Sequence, residues 1–125
     1  MNLKDVLENY YATYNSEDPE RLAAFYHPEV TLTSAEGTME GVEAILDTYR
    51  YLVANFVDRM TPEAITVEGD TAEVKIRDHF TAKQDVADFL GMSLTAGDSF
   101  ELHLRGSYEF EDGLIRRVLI EPLED

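Results

Sequence analysis

The chain has 125 residues, 44% of them hydrophobic, with 26 acidic against 10 basic side chains and a formal net charge of −16. That is the length of one ordinary domain with enough apolar material for a core; it excludes a disordered chain, and the charge repels phosphate backbones, so no nucleic-acid partner is expected. No apolar run approaches the roughly 20 residues of a membrane span, MNLKDVLENYY lacks the pattern of a secretory leader, and no cysteine is present for disulfide or thiol chemistry, so a cytoplasmic setting without a membrane partner is expected.

Leu3, Val6, Leu7, Tyr10, Tyr11 and Tyr14 recur at helical spacing and predict an amphipathic first helix with a tyrosine-rich end. Asp18 and Pro19 supply a cap and a first-turn proline for a short second helix, with Leu22, Phe25 and Tyr26 on one face and a stop at His27-Pro28. Residues 30–34 read as a short edge strand and Glu36-Gly37 as a loop. A third helix over residues 40–57 carries the stripe Val42, Ile45, Leu46, Tyr49, Leu52, Val53, Phe56 and Val57. After Pro62 the apolar period changes to two, and residues 64–68 and 71–81 read as strands joined by a Gly69-Asp70 turn. Residues 83–98 read as a loop. Residues 99–122 form a hairpin around Glu111-Asp112-Gly113, with Phe100, Leu102, Leu104, Tyr108 and Phe110 on its apolar face and Glu101, His103, Arg105, Ser107 and Glu109 on its wet face. This order predicts a single α+β domain over residues 1–125, its three helices packed on one face of a curved, mostly antiparallel sheet.

Asp78 is the most informative single residue. By alternation it shares an apolar face with Val74, Ile76 and Phe80, where a carboxylate needs a partner or a cavity and its pKa rises toward that of a general base. A slip of one residue in register turns His79 and Arg77 inward instead. The catalytic candidates are therefore Asp78 or His79 as base, with Tyr10 or Tyr14 as a hydrogen-bond donor. Tyr14, Tyr26, Tyr49, Phe56, Phe80, Phe89, Leu104 and Tyr108 are the candidate ligand-contacting residues, the tyrosines serving equally well as core. His103 and Arg105 read as solvated or interface charges. His27, His79 and His103 lack ligand spacing, so no metal site is expected, and no P-loop, dinucleotide fingerprint or nucleophile elbow points to a cofactor.

Several short pieces stand in a familiar order. They are Tyr10, Tyr14-Asn15 and Asp18 followed by Leu22-Ala23-Ala24-Phe25-Tyr26; Gly41-Val42-Glu43-Ala44-Ile45; Phe89-Leu90-Gly91; Thr95-Ala96-Gly97; and Phe110-Glu111-Asp112-Gly113-Leu114-Ile115. Together they resemble the nuclear transport factor 2-like superfamily of cystatin-like α+β cones, and within it SnoaL-like and ketosteroid isomerase-like proteins. The resemblance implies a cone-shaped sheet around a pocket for a small apolar molecule, no cofactor, and a homodimer through the outer sheet face. It also places Tyr10 at the oxyanion-donor tyrosine of ketosteroid isomerases, while the base position falls on Ser34 and the second acid near Gly106. The catalytic aspartate of SnoaL-like cyclases also falls near Gly106, so none of these family aspartates has a counterpart at its own position. The expected function is a cofactor-independent isomerase, cyclase, dehydratase or hydrolase acting on a small apolar substrate. The alternative is a noncatalytic ligand-binding or dimerisation module of the same fold.

Overall fold

The structure, a computed structural model, describes residues 2–123. Helix α1 (Leu3–Tyr14) starts where the Asn2 side chain accepts from the Lys4 N–H at 2.8 Å, and it buries Val6, Leu7, Tyr10, Tyr11 and Tyr14. Asn15 ends it and clamps the sheet: its Nδ2 donates to the Met60 carbonyl at 2.9 Å and its Oδ1 accepts from the Met60 N–H at 2.8 Å. Helix α2 (Pro19–Ala23) is capped by Asp18, which accepts from the N–H groups of Glu20 and Arg21.

Strand β1 (Tyr26–Ser34) begins earlier than expected. Tyr26 belongs to this strand, not to the second helix, and His27-Pro28 lies inside it. Pro28 offers no N–H, and the pairing of β1 shifts register between Tyr26 and Thr31. Nor is β1 an edge. Strand β2 (Gly37–Glu40), which takes Gly37 from the expected loop and Glu40 from the expected third helix, pairs outside β1.

Helix α3 (Val42–Asn55) stops two residues short of the expected end, because Phe56 is already extended at φ −138°. Strand β3 (Phe56–Glu68) follows directly, where a strand was expected only from residue 64. Pro62 does not bound it: β3 is a sheet edge, and its register shifts between Pro62 and Ala64 to absorb the proline. Strand β4 (Thr71–Ala82) pairs with β3 over its whole length. Within the segment expected as loop, β5 (Val86–Phe89) and β6 (Met92–Leu94) form a small antiparallel ribbon. Strands β7 (Ser99–Glu111) and β8 (Leu114–Pro122) form the expected hairpin, turning at Asp112 (φ 55°) and Gly113 (φ 79°), the left-handed pair that suits a two-residue connection.

The main sheet has the order β2-β1-β8-β7-β4-β3, with β1 and β8 parallel and the other neighbours antiparallel. It is the expected α+β layering of three helices against a curved sheet. The core has two parts. The larger holds the α1 tyrosines with Leu22, Ile45, Ile76 and Ile115; the smaller stacks Phe56 and Phe80 under the β5–β6 ribbon with Val86. Among the described residues no helix is long and apolar enough to cross a membrane.

Candidate functional site

Between the inner sheet face and the helices lies a cavity of about 360 Å³. Tyr10 and Tyr14 reach it from α1, Tyr26 from β1, Tyr49 from α3 and Tyr108 from β7, with Phe80, Leu102, Leu104 and Val118 among the apolar walls. Two buried carboxyl groups, Asp58 and Asp78, interrupt this lining, and the exposed Glu36 stands at it as well.

The sheet register brings the pair together. Asp58 lies opposite Phe80 and Asp78 opposite Met60, so the two aspartates are diagonal neighbours on the inner face of β3 and β4. Their exposures are 6% and 2%. Tyr14 Oη donates to Asp58 Oδ2 at 2.7 Å, and the two carboxyls lie close enough for a proton on one to be shared with the other. Oδ1 of each aspartate is buried with no donor. Asn15 positions this group, because its clamp on Met60 fixes β3 beside the end of α1, where Tyr14 emerges.

Two buried carboxyls in contact cannot both carry charge cheaply. Burial above all, then the hydrogen bond to Asp58 and its charge, push Asp78 up to about 10. Burial also raises Asp58, but the hydrogen bonds from Asp78 and Tyr14 pull it back. The pair thus keeps a proton at neutral pH, and Asp78 is the member pushed up to hold it.

The phenols stay neutral. Burial pushes Tyr10 and Tyr49 up to about 12, and Tyr14, Tyr26 and Tyr108 well above their ordinary range. Tyr49 Oη donates to the Tyr14 carbonyl at 2.6 Å, which ties α3 to α1. Tyr10 and Tyr26 share one hydrogen bond of 2.6 Å between their hydroxyls. One of the two donates there, leaving the other phenol's proton free for an acceptor in the cavity.

The structure thus gathers Asp78, Tyr10, Tyr14, Tyr26, Tyr49, Phe80, Leu104 and Tyr108 around one cavity. It does not bring the remaining candidates there. His79 lies on the opposite face of β4, across from Arg59 and Glu101, because the register turns Asp78 inward. Phe56 and Phe89 pack edge-on and tilted against each other and Phe80 in the smaller core, since Phe89 belongs to the β5–β6 ribbon and closes over Phe56. Asp58 is the residue that sequence reasoning missed. A signal for it existed: twelve residues of β4 need a partner of matching length, and counting back from the Gly69-Asp70 turn puts Phe56, Asp58 and Met60 on one strand face.

Gly106 has its own explanation. A side chain there would meet the ring of Tyr108, with the Cβ only 2.9 Å from Tyr108 Cε2 and 3.2 Å from Ile76 Cδ1. The Tyr108 ring leans back over Gly106 and bonds Tyr11 Oη at 2.6 Å, filling the slot where the resemblance puts an aspartate.

Elsewhere His27, Glu111 and Asp112 place an imidazole and two carboxylates close together. His27 Nδ1 accepts from the Glu29 N–H, so its Nε2 carries the proton and points it at Glu111 Oε2, 2.7 Å away. That arrangement leaves the imidazole no lone pair for a metal and reads as a tie between β1 and the β7–β8 turn.

No curated protein matches the chain. Among solved structures, TsrD from Streptomyces laurentii is similar at 25% identity and a TM-score of 0.78, over 95% of this chain and 86% of that one. A "putative polyketide cyclase" from Xanthomonas campestris pv. campestris superposes with a TM-score of 0.83 at 17% identity, over 96% and 89% of the two chains. A protein with a cystatin-like fold from Methylobium petroleophilum gives 0.73 at 18% identity, over 98% and 76%. The model of the SnoaL-like domain matches residues 7–118, and with that match across most of its length the chain belongs to the SnoaL-like domain family.

Proposed function

We propose that this protein is a cofactor-independent catalyst of proton transfer on a small, largely apolar molecule, of the isomerase or cyclase type. One observation carries the reading: two buried carboxyls side by side, their Oδ1 atoms meeting no donor from the other described residues, in the wall of an otherwise apolar, tyrosine-lined cavity. Apolar walls hold the body of the substrate. Asp58 takes a proton from carbon next to an activating group and returns it at a second position, so the proton count is unchanged. Asp78 tunes Asp58 through their shared hydrogen bond, and the spare proton of the Tyr10–Tyr26 pair meets the charge that develops on the substrate. The polyketide cyclase description of a structural neighbour agrees with this class of chemistry.

Carbon–hydrogen exchange in D2O tests the reading. With tetralone as probe, the protein is expected to speed deuterium incorporation beside the carbonyl by about 10² or more over buffer, and Asp58→Asn to abolish the gain. Tetralone that binds without accelerated exchange would instead favour the noncatalytic ligand-binding reading. The observation behind that second reading is that Ser34 and Gly106 offer no carboxylate at the family's positions.

The outer sheet face is the proposed homodimer contact. Leu119 is exposed there opposite Ser107, beside the cross-strand pair of Arg105 and Glu121. Sedimentation showing only monomer at micromolar concentration would overturn it.

A further inference from the structure

The cavity has an imbalance of hydrogen-bonding groups. Beyond the proton that the pair itself holds, Asp58 Oδ1 and Asp78 Oδ1 meet no donor among the described residues, and both residues are more than nine-tenths buried. An unsatisfied buried acceptor is costly, because it has given up its hydrogen bonds to water without replacement. Among the described residues no Lys, Arg or His lines the cavity, so none of these side chains brings a cation to meet them. The phenols give the carboxyl pair one contact only: Tyr14 is spent on Asp58 and Tyr49 on the Tyr14 carbonyl, while the Tyr10–Tyr26 and Tyr11–Tyr108 pairs bond internally and keep one proton each. A simple ketone brings only acceptors and offers no donor to the carboxyl pair. A protonated amine brings donors and a positive charge together.

The aromatic lining points the same way. Rings of Tyr10, Tyr14, Tyr26, Tyr49 and Tyr108 border the cavity, and aromatic faces attract ammonium groups most strongly where water is excluded. Glu36 stands among the lining residues, and the net charge of −16 draws cations toward the whole molecule.

From these features we infer that the natural ligand carries a basic nitrogen on an apolar body, and that its ammonium sits on the Asp58–Asp78 pair inside the tyrosine cage. The inference rests on the reading of this cavity as a ligand site and names the class of molecule it takes. Rotation of either carboxyl about its last side-chain bond presents an oxygen to the nitrogen. The body of the ligand lies against Leu102, Leu104 and Val118, and any carbonyl it carries falls to the Tyr10–Tyr26 proton.

A matched pair of probes tests this. Aminotetralin and tetralone share one bicyclic body and differ in the nitrogen. Titration calorimetry at neutral pH is expected to show aminotetralin binding about tenfold or more tighter than tetralone. The double variant Asp58→Asn with Asp78→Asn is expected to lose that preference while keeping its affinity for tetralone, which also shows that the variant is folded. Equal binding of the two probes by the wild type, or an amine preference that survives in the double variant, would overturn the inference and leave the cavity as a site for neutral molecules. Binding of neither probe would overturn both the inference and the cavity reading beneath it.

Discussion

Asp78→Asn isolates the energetic signature of the carboxyl pair. Asp78 titrates near 3.8 when unfolded and is pushed up to about 10 in the fold, chiefly by burial and then by Asp58. A folded pKa above the unfolded one means that the native state holds a proton the unfolded chain releases. Stability is therefore highest below the unfolded value and falls as the pH rises toward the folded one. Across that window the loss is about 1.4 kcal/mol per pH unit, which by neutral pH amounts to ~4 kcal/mol from this one residue. The loss at neutral pH is set by the unfolded value, since the native group remains protonated there. Asparagine is neutral at every pH, is nearly the same size, and can donate to Asp58 through its amide. Urea denaturation of wild type and Asp78→Asn between about pH 4 and 8 measures the difference directly. The variant is expected to be more stable at neutral pH by ~2–4 kcal/mol, the two curves converging near pH 4. Parallel pH curves would refute the assignment of Asp78 as a buried acid, and a variant less stable than wild type at neutral pH would refute the sign.

Two other substitutions read neighbouring parts of the same structure. Tyr14→Phe removes the 2.7 Å hydrogen bond to Asp58 and is expected to lower stability at neutral pH by ~2 kcal/mol, measured by denaturant titration; a loss below about 0.5 kcal/mol would mean that Asp58 is not the ionised partner. Gly106→Ala drives a Cβ to within 2.9 Å of the Tyr108 ring and is expected to cost ~1–3 kcal/mol, but close to nothing in a Tyr108→Ala background, so a double-mutant cycle with additive energies would show that the ring does not occupy that slot.

Much of the sheet was legible because one face is buried and the side-chain period is two. The alternation through Ala72, Val74, Ile76, Asp78 and Phe80 places Asp78 inside, and the structure follows it residue for residue. The other half of the pair was hidden by an overlap of patterns. Phe56 continues the helical stripe of Val42, Ile45, Tyr49 and Val53, and it is equally the first inward residue of β3. Periodicity alone cannot decide which element owns such a position; the extended backbone at Phe56 does. Pro62 reinforced the error by reading as a boundary, although an edge strand tolerates a missing N–H. The β5–β6 ribbon escaped notice because four- and three-residue strands carry too little alternation to register. With it went the true place of Phe56 and Phe89, which line the ribbon's own small core.

The position of the carboxyl pair bears on what the cavity is for. Ser34 and Gly106 stand where the family resemblance expects aspartates, and Tyr108 has filled the space above Gly106. The acidic function lies one wall away, on β3 and β4, yet it still faces the same cavity and still meets a tyrosine from α1. Nothing in the packing of the core requires it. Asn at residue 78 would keep the hydrogen bond to Asp58, and leucine at both positions would extend the apolar lining already formed by Met60, Leu102 and Leu104. Either change removes a penalty of several kcal/mol in a fold whose total stability is only about 5–15 kcal/mol. A buried pair that weakens the fold where a simpler lining would strengthen it is best explained by what enters the cavity. Under the proposed function, the binding energy of the substrate offsets the penalty, and Asp58 is the base that the apolar walls lack.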